Sequence, residues 1–195
     1  IMKVKKLIST LLLSFLILCS LVPASASEVS EKKDAYSFTD TYYIEWARDI
    51  IEWNYEKGLM NGVTKDKFAP YGEMNRAMAA TVIYRLSSEK HNGKSSPFKD
   101  VPQDAYYVEA VSWAYENKII LGTSQNSFNP EANITREDFA TILRRYDRKF
   151  NKSTTDTTIS STSFPDESQI SEHAKDAVCW CYENKIMTGY RDGSF

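Results

Sequence analysis

Only two histidines and three cysteines occur among the 195 residues of this chain. His91 lies in a polar stretch, and His173 fills a position that is aromatic elsewhere in the chain, so neither supports a histidine-based catalytic site. The seven glycines are scattered and form no phosphate loop, and neither G-x-S-x-G nor H-E-x-x-H occurs. No pair of acidic residues stands out as acid and base. An excess of positive charge is also missing: 24 Lys and Arg face 26 Asp and Glu. Nucleic-acid binding draws most of its affinity from a basic stripe, so this balance argues against such a partner, and against an anionic membrane surface. Cys179 and Cys181, as C-x-C, offer two sulfurs on different helix faces, a poor metal site, and read as small buried residues. No cofactor is expected.

The first segment stands apart from the rest. Lys3, Lys5 and Lys6 precede an apolar run from Leu7 to Val22, and Ala24-Ser25-Ala26 follows. This is the pattern of a secretory signal peptide over 1–26, with cleavage between Ala26 and Ser27. The run is interrupted by Ser and Thr and is short for a retained membrane span. A lipid anchor at Cys19 is disfavoured because Leu18 occupies a site where a small residue is expected. Cleavage removes three lysines and no acid, leaving 21 basic against 26 acidic side chains and no membrane attachment.

What the chain does contain is repetition. YENKI at Tyr115–Ile119 recurs at Tyr182–Ile186. At an offset of 60, Phe38–Leu86 overlays Phe98–Tyr146 without a gap, with 12 of 49 positions identical, where chance gives roughly three. A third copy begins at Phe164 and Asp166 and continues at an offset of 67 through Trp180, Gly189 and Phe195. The spacing therefore predicts repeats over 38–86 and 98–146 and a partial repeat over 164–195. Polar segments, Ser87–Pro97 and the Ser/Thr-rich Asp147–Ser163, read as linkers between them.

Each copy predicts two helices. Ala47/Ile50/Ile51, Tyr107/Ala110/Val111/Ala114 and Ala174/Ala177/Val178/Cys181 recur at helical spacing, with Trp53, Trp113 and Trp180 at the edge of that face. Second helices carry Ala79/Val82/Ile83/Leu86 and Phe139/Ile142/Leu143/Tyr146. Helices this short are marginal alone, and one copy is too small to bury both stripes, so copies are expected to pack on one another. Gly62, Gly122 and Gly189 are expected to supply positive φ in the turn between helices. Phe68, Phe128, Phe195, Pro70 and Pro130 are expected to pack the returning segment.

One residue resists a structural explanation. Thr135 reads as a helix N-cap, and Asp138 three residues on as the reciprocal arm of a capping box. Arg136 lies in the same first turn, where the helix dipole disfavours a cation. Copy one keeps it as Arg76 while its neighbours change to Asn75, Ala77 and Met78. A guanidinium beside free helix N–H groups suits a carboxylate; a solvated arginine, or a pair with Asp40 or Asp100, is the structural alternative.

Phe98-Lys99-Asp100-Val101, Trp113, Ile119-Ile120-Leu121-Gly122, Phe128-Asn129-Pro130 and Ile134-Thr135-Arg136-Glu137, with Gly189-Tyr190-Arg191-Asp192-Gly193-Ser194-Phe195, resemble the S-layer homology domain. The resemblance covers 38–195 outside the linkers. It implies an all-α fold of tandem helix-loop-helix repeats in a pseudo-threefold assembly, and a non-catalytic wall anchor on the surface of a bacterium, of the Gram-positive kind. Its partner would be secondary cell-wall polysaccharide or a peptidoglycan-linked glycan, often bearing a pyruvyl ketal. Carried over by position, Arg76 and Arg136 would grip the ligand, and Asp40, Asp100 and Asp166 would accept sugar hydroxyls or orient the arginine. Gly62, Gly122 and Gly189 would admit close backbone approach. Trp46 and Tyr106 would face the sugar, or else be buried packing residues.

This chain departs from the family pattern in three places. Copy one lacks the acid after its arginine, which would weaken its groove, and His173 replaces the aromatic of Trp46 and Tyr106. The third copy's F-x-P, second helix and arginine do not appear before Phe195, leaving the Trp180 helix without its partner and suggesting a fragment. Two other functions compete with a wall anchor. One is the anchoring end of a surface glycan hydrolase or peptidase with catalysis beyond Phe195; the other is a helical scaffold binding proteins through apolar grooves.

Overall fold

YENKI is a helix ending. In the computed structural model, which describes residues 38–91, 95–151 and 164–195, helices α1 (Glu45–Glu56), α3 (Val108–Glu116) and α5 (Lys175–Glu183) close in one way. Lys118 N–H donates to Tyr115 O and Ile119 N–H to Ala114 O, the paired bonds of a Schellman ending. Lys185 and Ile186 repeat it on Tyr182 and Cys181, as do Gly58 and Leu59 on Tyr55 and Asn54. The residue after the cap must be left-handed: Gly58 has φ 67°, and Lys118 and Lys185 each have φ 57°. Asn117 and Asn184 donate side-chain bonds to Trp113 O and Trp180 O.

Helices α2 (Arg76–Ser87) and α4 (Arg136–Tyr146) are the second helices of copies one and two. Asn75 Oδ1 accepts from Met78 N–H and Thr135 Oγ1 from Asp138 N–H, so both start at side-chain caps. Five α-helices and no strand occur among the described residues; the fold is all-α. A lone antiparallel bridge, Asn75 to Asn133, joins the segments that enter α2 and α4. The leader expected over 1–26, and most of the Ser/Thr-rich tract, lie outside the described residues.

Two compact units divide the described chain between Gly72 and Glu73, inside copy one rather than at a linker. Residues 38–72 hold α1 over a small core of Phe38, Ile44, Ala47 and Ile51, with Tyr55 and Phe68 against it. Residues 73–195 hold the other four helices. There α2 packs on α3, and α4 on α5. The pairing is therefore between the second helix of one copy and the first helix of the next. The Trp180 helix, expected to lack a partner, finds one in α4, and Trp180 is buried.

The apolar stripes fall where the spacing places them: Tyr107, Ala110, Val111 and Ala114 are buried, as are Ala174, Ala177, Val178 and Cys181. Trp113 and Trp180 are buried rather than at the edge, because the preceding helix covers them. Tyr84 of α2 lies 5.3 Å from the Trp113 ring, and the equivalent Arg144 of α4 has its guanidinium 5.1 Å from the Trp180 ring. The segment after α4 is not all linker. Asp147–Asn151 continues the helix as a π turn, and Phe150 stacks on Trp113 with ring centroids 5.8 Å apart.

Candidate functional site

Each copy builds its loop on the same three rings. The Phe of F-x-D, the Phe that returns, and the Tyr of the helix ending meet as Phe38–Phe68–Tyr55, Phe98–Phe128–Tyr115 and Phe164–Phe195–Tyr182. The first Phe explains the glycines. A Cβ on Gly122 would come within 2.3 Å of Phe98 Cε1 and 2.6 Å of Ser124 O, and one on Gly62 within 2.6 Å of Phe38 Cε1. On Gly189 it would meet Ser194 O at 2.8 Å and Phe164 Cε1 at 3.0 Å. Positive φ is found at Gly62 (78°) and at neither of the other two. The close approach at all three positions is by the chain's own aromatic ring and loop carbonyls.

The aspartates fasten the returning strand-like segment. Asp40 accepts from Phe68 N–H and Ala69 N–H at 2.9 and 2.8 Å. Asp100 accepts from Phe128 N–H and Asn129 N–H, each at 2.8 Å, and from Ser127 Oγ. Asp166 accepts from Phe195 N–H at 3.0 Å. Burial pulls the Asp100 carboxyl upward, but the Ser127 hydroxyl and the backbone N–H groups outweigh it and hold it below its ordinary value. Asp40 is lowered for the same reasons, burial opposing the N–H groups of Phe68 and Ala69.

Both arginines reach forward into the next copy's loop. Arg76 Nε donates to Phe128 O at 2.9 Å and Nη2 to Leu121 O at 2.7 Å. Arg136 Nε donates to Phe195 O at 2.7 Å and Nη2 to Thr188 O at 2.8 Å. Each guanidinium also lies 4.9 Å from the ring of that phenylalanine, and Arg136 lies 4.6 Å from Tyr190. Phe128 and Phe195 are thus held by both backbone groups, the N–H on an aspartate and the C=O on an arginine. Among the described residues, no hydrogen bond engages Nη1 of either arginine. Burial lowers the Arg76 guanidinium from its ordinary value, against the opposing pull of Asp138 and then Asp100.

The sequence-derived candidates therefore sort into two places within 73–195. Arg76, Asp100 and Gly122 surround one loop; Arg136, Asp166 and Gly189 surround the other. Asp40, Gly62 and Trp46 belong to 38–72. Trp46 is 75% exposed and Tyr106 65%, so neither is a packing residue. The acid after the arginine ties copies together: Glu137 accepts from Ser171 N–H at 2.8 Å and Ser171 Oγ at 2.9 Å. In copy one that position is Ala77, fully buried. Asp138 does not complete a capping box; its Oδ1 lies 3.3 Å from His173 Nε2.

Sequence reasoning missed the carbonyl acceptors, because a backbone atom leaves no mark in residue identity. It also missed Tyr190, which has Thr123 as its counterpart in copy two. Cys179 and Cys181 are both buried, and burial pushes the Cys181 thiol up to about 12. No group of His, Cys, Asp or Glu among the described residues could hold a metal ion, and no described helix is long and apolar enough to cross a membrane.

A family model described as S-layer homology domain matches residues 37–80, 97–140 and 163–195, the third match being the shortest. An endoglucanase of Bacillus sp. (strain KSM-635) is 32% identical over 197 residues, covering all of this chain and 20% of its own length. The exoglucanase XynX of Acetivibrio thermocellus is 31% identical over 145 residues, 74% of this chain and 13% of that protein. A surface-layer 125 kDa protein of Lysinibacillus sphaericus is 32% identical over 98 residues, 50% of this chain and 8% of that protein. This chain spans a fifth or less of the length of these relatives.

Proposed function

This chain belongs to the S-layer homology domain family, as three tandem copies with the third truncated, and we propose that it is a non-catalytic module anchoring an exported protein to the bacterial cell wall. Its ligand is a secondary cell-wall polysaccharide with carboxylate groups, such as pyruvyl ketals. The observation that carries this reading is the placement of Arg76 and Arg136. Each spends Nε and Nη2 on the next copy's loop, which fixes the guanidinium plane and leaves Nη1 for an anion. Fixed in advance, the group loses little freedom on binding. Exposed Trp46 and Tyr106 supply faces for pyranose rings.

The test is co-sedimentation of the chain with Gram-positive cell walls, intact and stripped of secondary polymer. Binding to intact walls alone is expected. Equal binding to stripped walls would overturn the polysaccharide assignment in favour of peptidoglycan.

A second reading concerns what is anchored. The relatives named as endoglucanase and exoglucanase match this chain over a small part of their length. That pattern favours a surface glycan hydrolase as the anchored cargo, its chemistry lying in another part of the protein. Sequencing the gene beyond codon 195 decides this directly.

A further inference from the structure

One backbone bond recurs in all three copies and carries a different side chain each time. Val63 N–H donates to Lys67 O at 2.9 Å, Thr123 N–H to Ser127 O at 2.8 Å and Tyr190 N–H to Ser194 O at 2.7 Å. The third loop is pinned further. Gly193 N–H donates to Tyr190 O at 3.0 Å, and Asp192 Oδ1 accepts from Ser194 N–H and Oγ at 3.0 and 2.7 Å. Arg76 and Arg136 each enter one such loop, and of those two loops the third copy's alone has an aromatic at this position. The Tyr190 ring lies 4.6 Å from the Arg136 guanidinium, yet the residue is 58% exposed. Phe195, 4.9 Å from the same guanidinium, is buried. Packing does not require the Tyr190 ring, since the same turn closes over Val63 and Thr123 without one.

We propose that Tyr190 and Arg136 form one two-part sugar site, the tighter of the two arginine sites in the 73–195 unit. Nη1 of Arg136 takes the ligand carboxylate, and the open part of the Tyr190 ring takes the apolar face of the same sugar residue. This rests on the anchoring reading above. A pyranose bearing a ketal carboxylate joins an anionic group to a face of C–H bonds, and an aromatic face attracts the positive ends of such bonds. The ring and the cation lie close enough together to meet both parts of one residue. Asp192, the acid of this loop, is turned to Ser194. At the Arg76 site, Thr123 offers one methyl and a hydroxyl, too little surface for a pyranose face. Two unequal sites result, a tight one between copies two and three and a weak one between copies one and two.

The test is calorimetric titration of the full chain with a pyruvylated oligosaccharide released from wall polysaccharide, for wild type, Tyr190→Thr and Tyr190→Phe. Tyr190→Thr installs the side chain that copy two's turn already carries. It is expected to weaken the tighter binding about 5- to 10-fold, the scale of one aromatic contact, while Tyr190→Phe keeps it. Proton NMR of the oligosaccharide adds a readout that a merely structural role would not move. The ring should shift the sugar C–H resonances on binding to wild type and Tyr190→Phe, and that shift should be lost with Tyr190→Thr. Equal affinity of wild type and Tyr190→Thr, equal losses in both variants, or sugar resonances that do not depend on the ring overturn the proposal and leave the anchor standing. No binding by wild type overturns the anchoring reading itself, and the proposal with it.

Discussion

Phe128 is held at both ends of its peptide unit, and the acid at one end must be ionised to do so. Asp100 collects three donors, and Asp100→Asn keeps the shape but leaves one acceptor oxygen. In this half-exposed position the substitution is expected to cost about 1–2 kcal/mol at pH 7, read by urea unfolding. Because folding lowers this carboxyl, its contribution is present above the unfolded value of about 3.9 and disappears as pH falls through the folded value. The gap between wild type and variant should therefore close as pH falls below the unfolded value of about 3.9; a constant gap would mean that the charge is not what holds the loop. Lys118 makes the opposite case. It is exposed with φ 57°, where copy one has Gly58. Lys118→Gly should raise stability by about 1 kcal/mol, seen as a higher Tm, since a left-handed side chain is strained there. The identity of YENKI was legible, but its role as a Schellman ending appears only beside the YEKGL of copy one. The glycines show the limit of sequence reading. Positive φ is a local inference and holds at Gly62, whereas Gly122 and Gly189 answer to nearby loop carbonyls together with a phenylalanine some two dozen residues away.

At the scale of elements, one position does two different jobs in the two helix pairs. Tyr84 of α2 lies over Trp113 and donates its hydroxyl to Glu109 at 2.6 Å. Arg144 of α4, buried to 1% exposure, lies over Trp180 with Nε 3.4 Å from Asp176 and Nη1 3.5 Å from Asp147. Glu109 and Asp176 are equivalent in the repeat, so the pair is kept while its chemistry changes from phenol–carboxylate to ion pair. Arg144→Ala removes a buried cation between Asp147 and Asp176, leaving them to Asn151 and Arg148, and should cost about 2–3 kcal/mol. Tyr84→Phe keeps the ring and should cost about 1 kcal/mol. Chemical denaturation of the two variants checks the order, and a milder loss at Arg144 would contradict the interface described. The helical faces themselves were legible, because spacing fixes which residues share a side. Spacing does not say which face meets which, and so the partner of each helix was not. Nor was the π turn, since its Asp-Arg-Lys-Phe-Asn reads as the start of a polar tract until Phe150 finds Trp113.

For the whole molecule, the repeat unit of sequence and the packing unit of structure are out of phase. Copies begin at F-x-D, but cores form between the second helix of one copy and the first of the next, and the compact units separate at Gly72. An arginine fixed to the next copy's loop is the chemical form of that phase shift, and it makes each fastened loop a property of two copies. Copy one's loop is fastened by Asp40 like the others, while Arg48, the arginine of 38–72, donates to Tyr42 O. The all-α class and the threefold repetition could be read from residues alone; that the arginine's guanidinium is oriented by carbonyls could not.

The central claim is that this oriented guanidinium recognises a carboxylate on the wall glycan. Calorimetric titration of the chain with purified wall polysaccharide, native and after removal of its ketal carboxylates, tests it without disturbing the protein. Loss of a charge-assisted hydrogen bond predicts at least about 10-fold weaker binding to the carboxylate-free polymer. Equal affinity for the two polymers would contradict the account and move recognition from the arginines to the exposed aromatic faces.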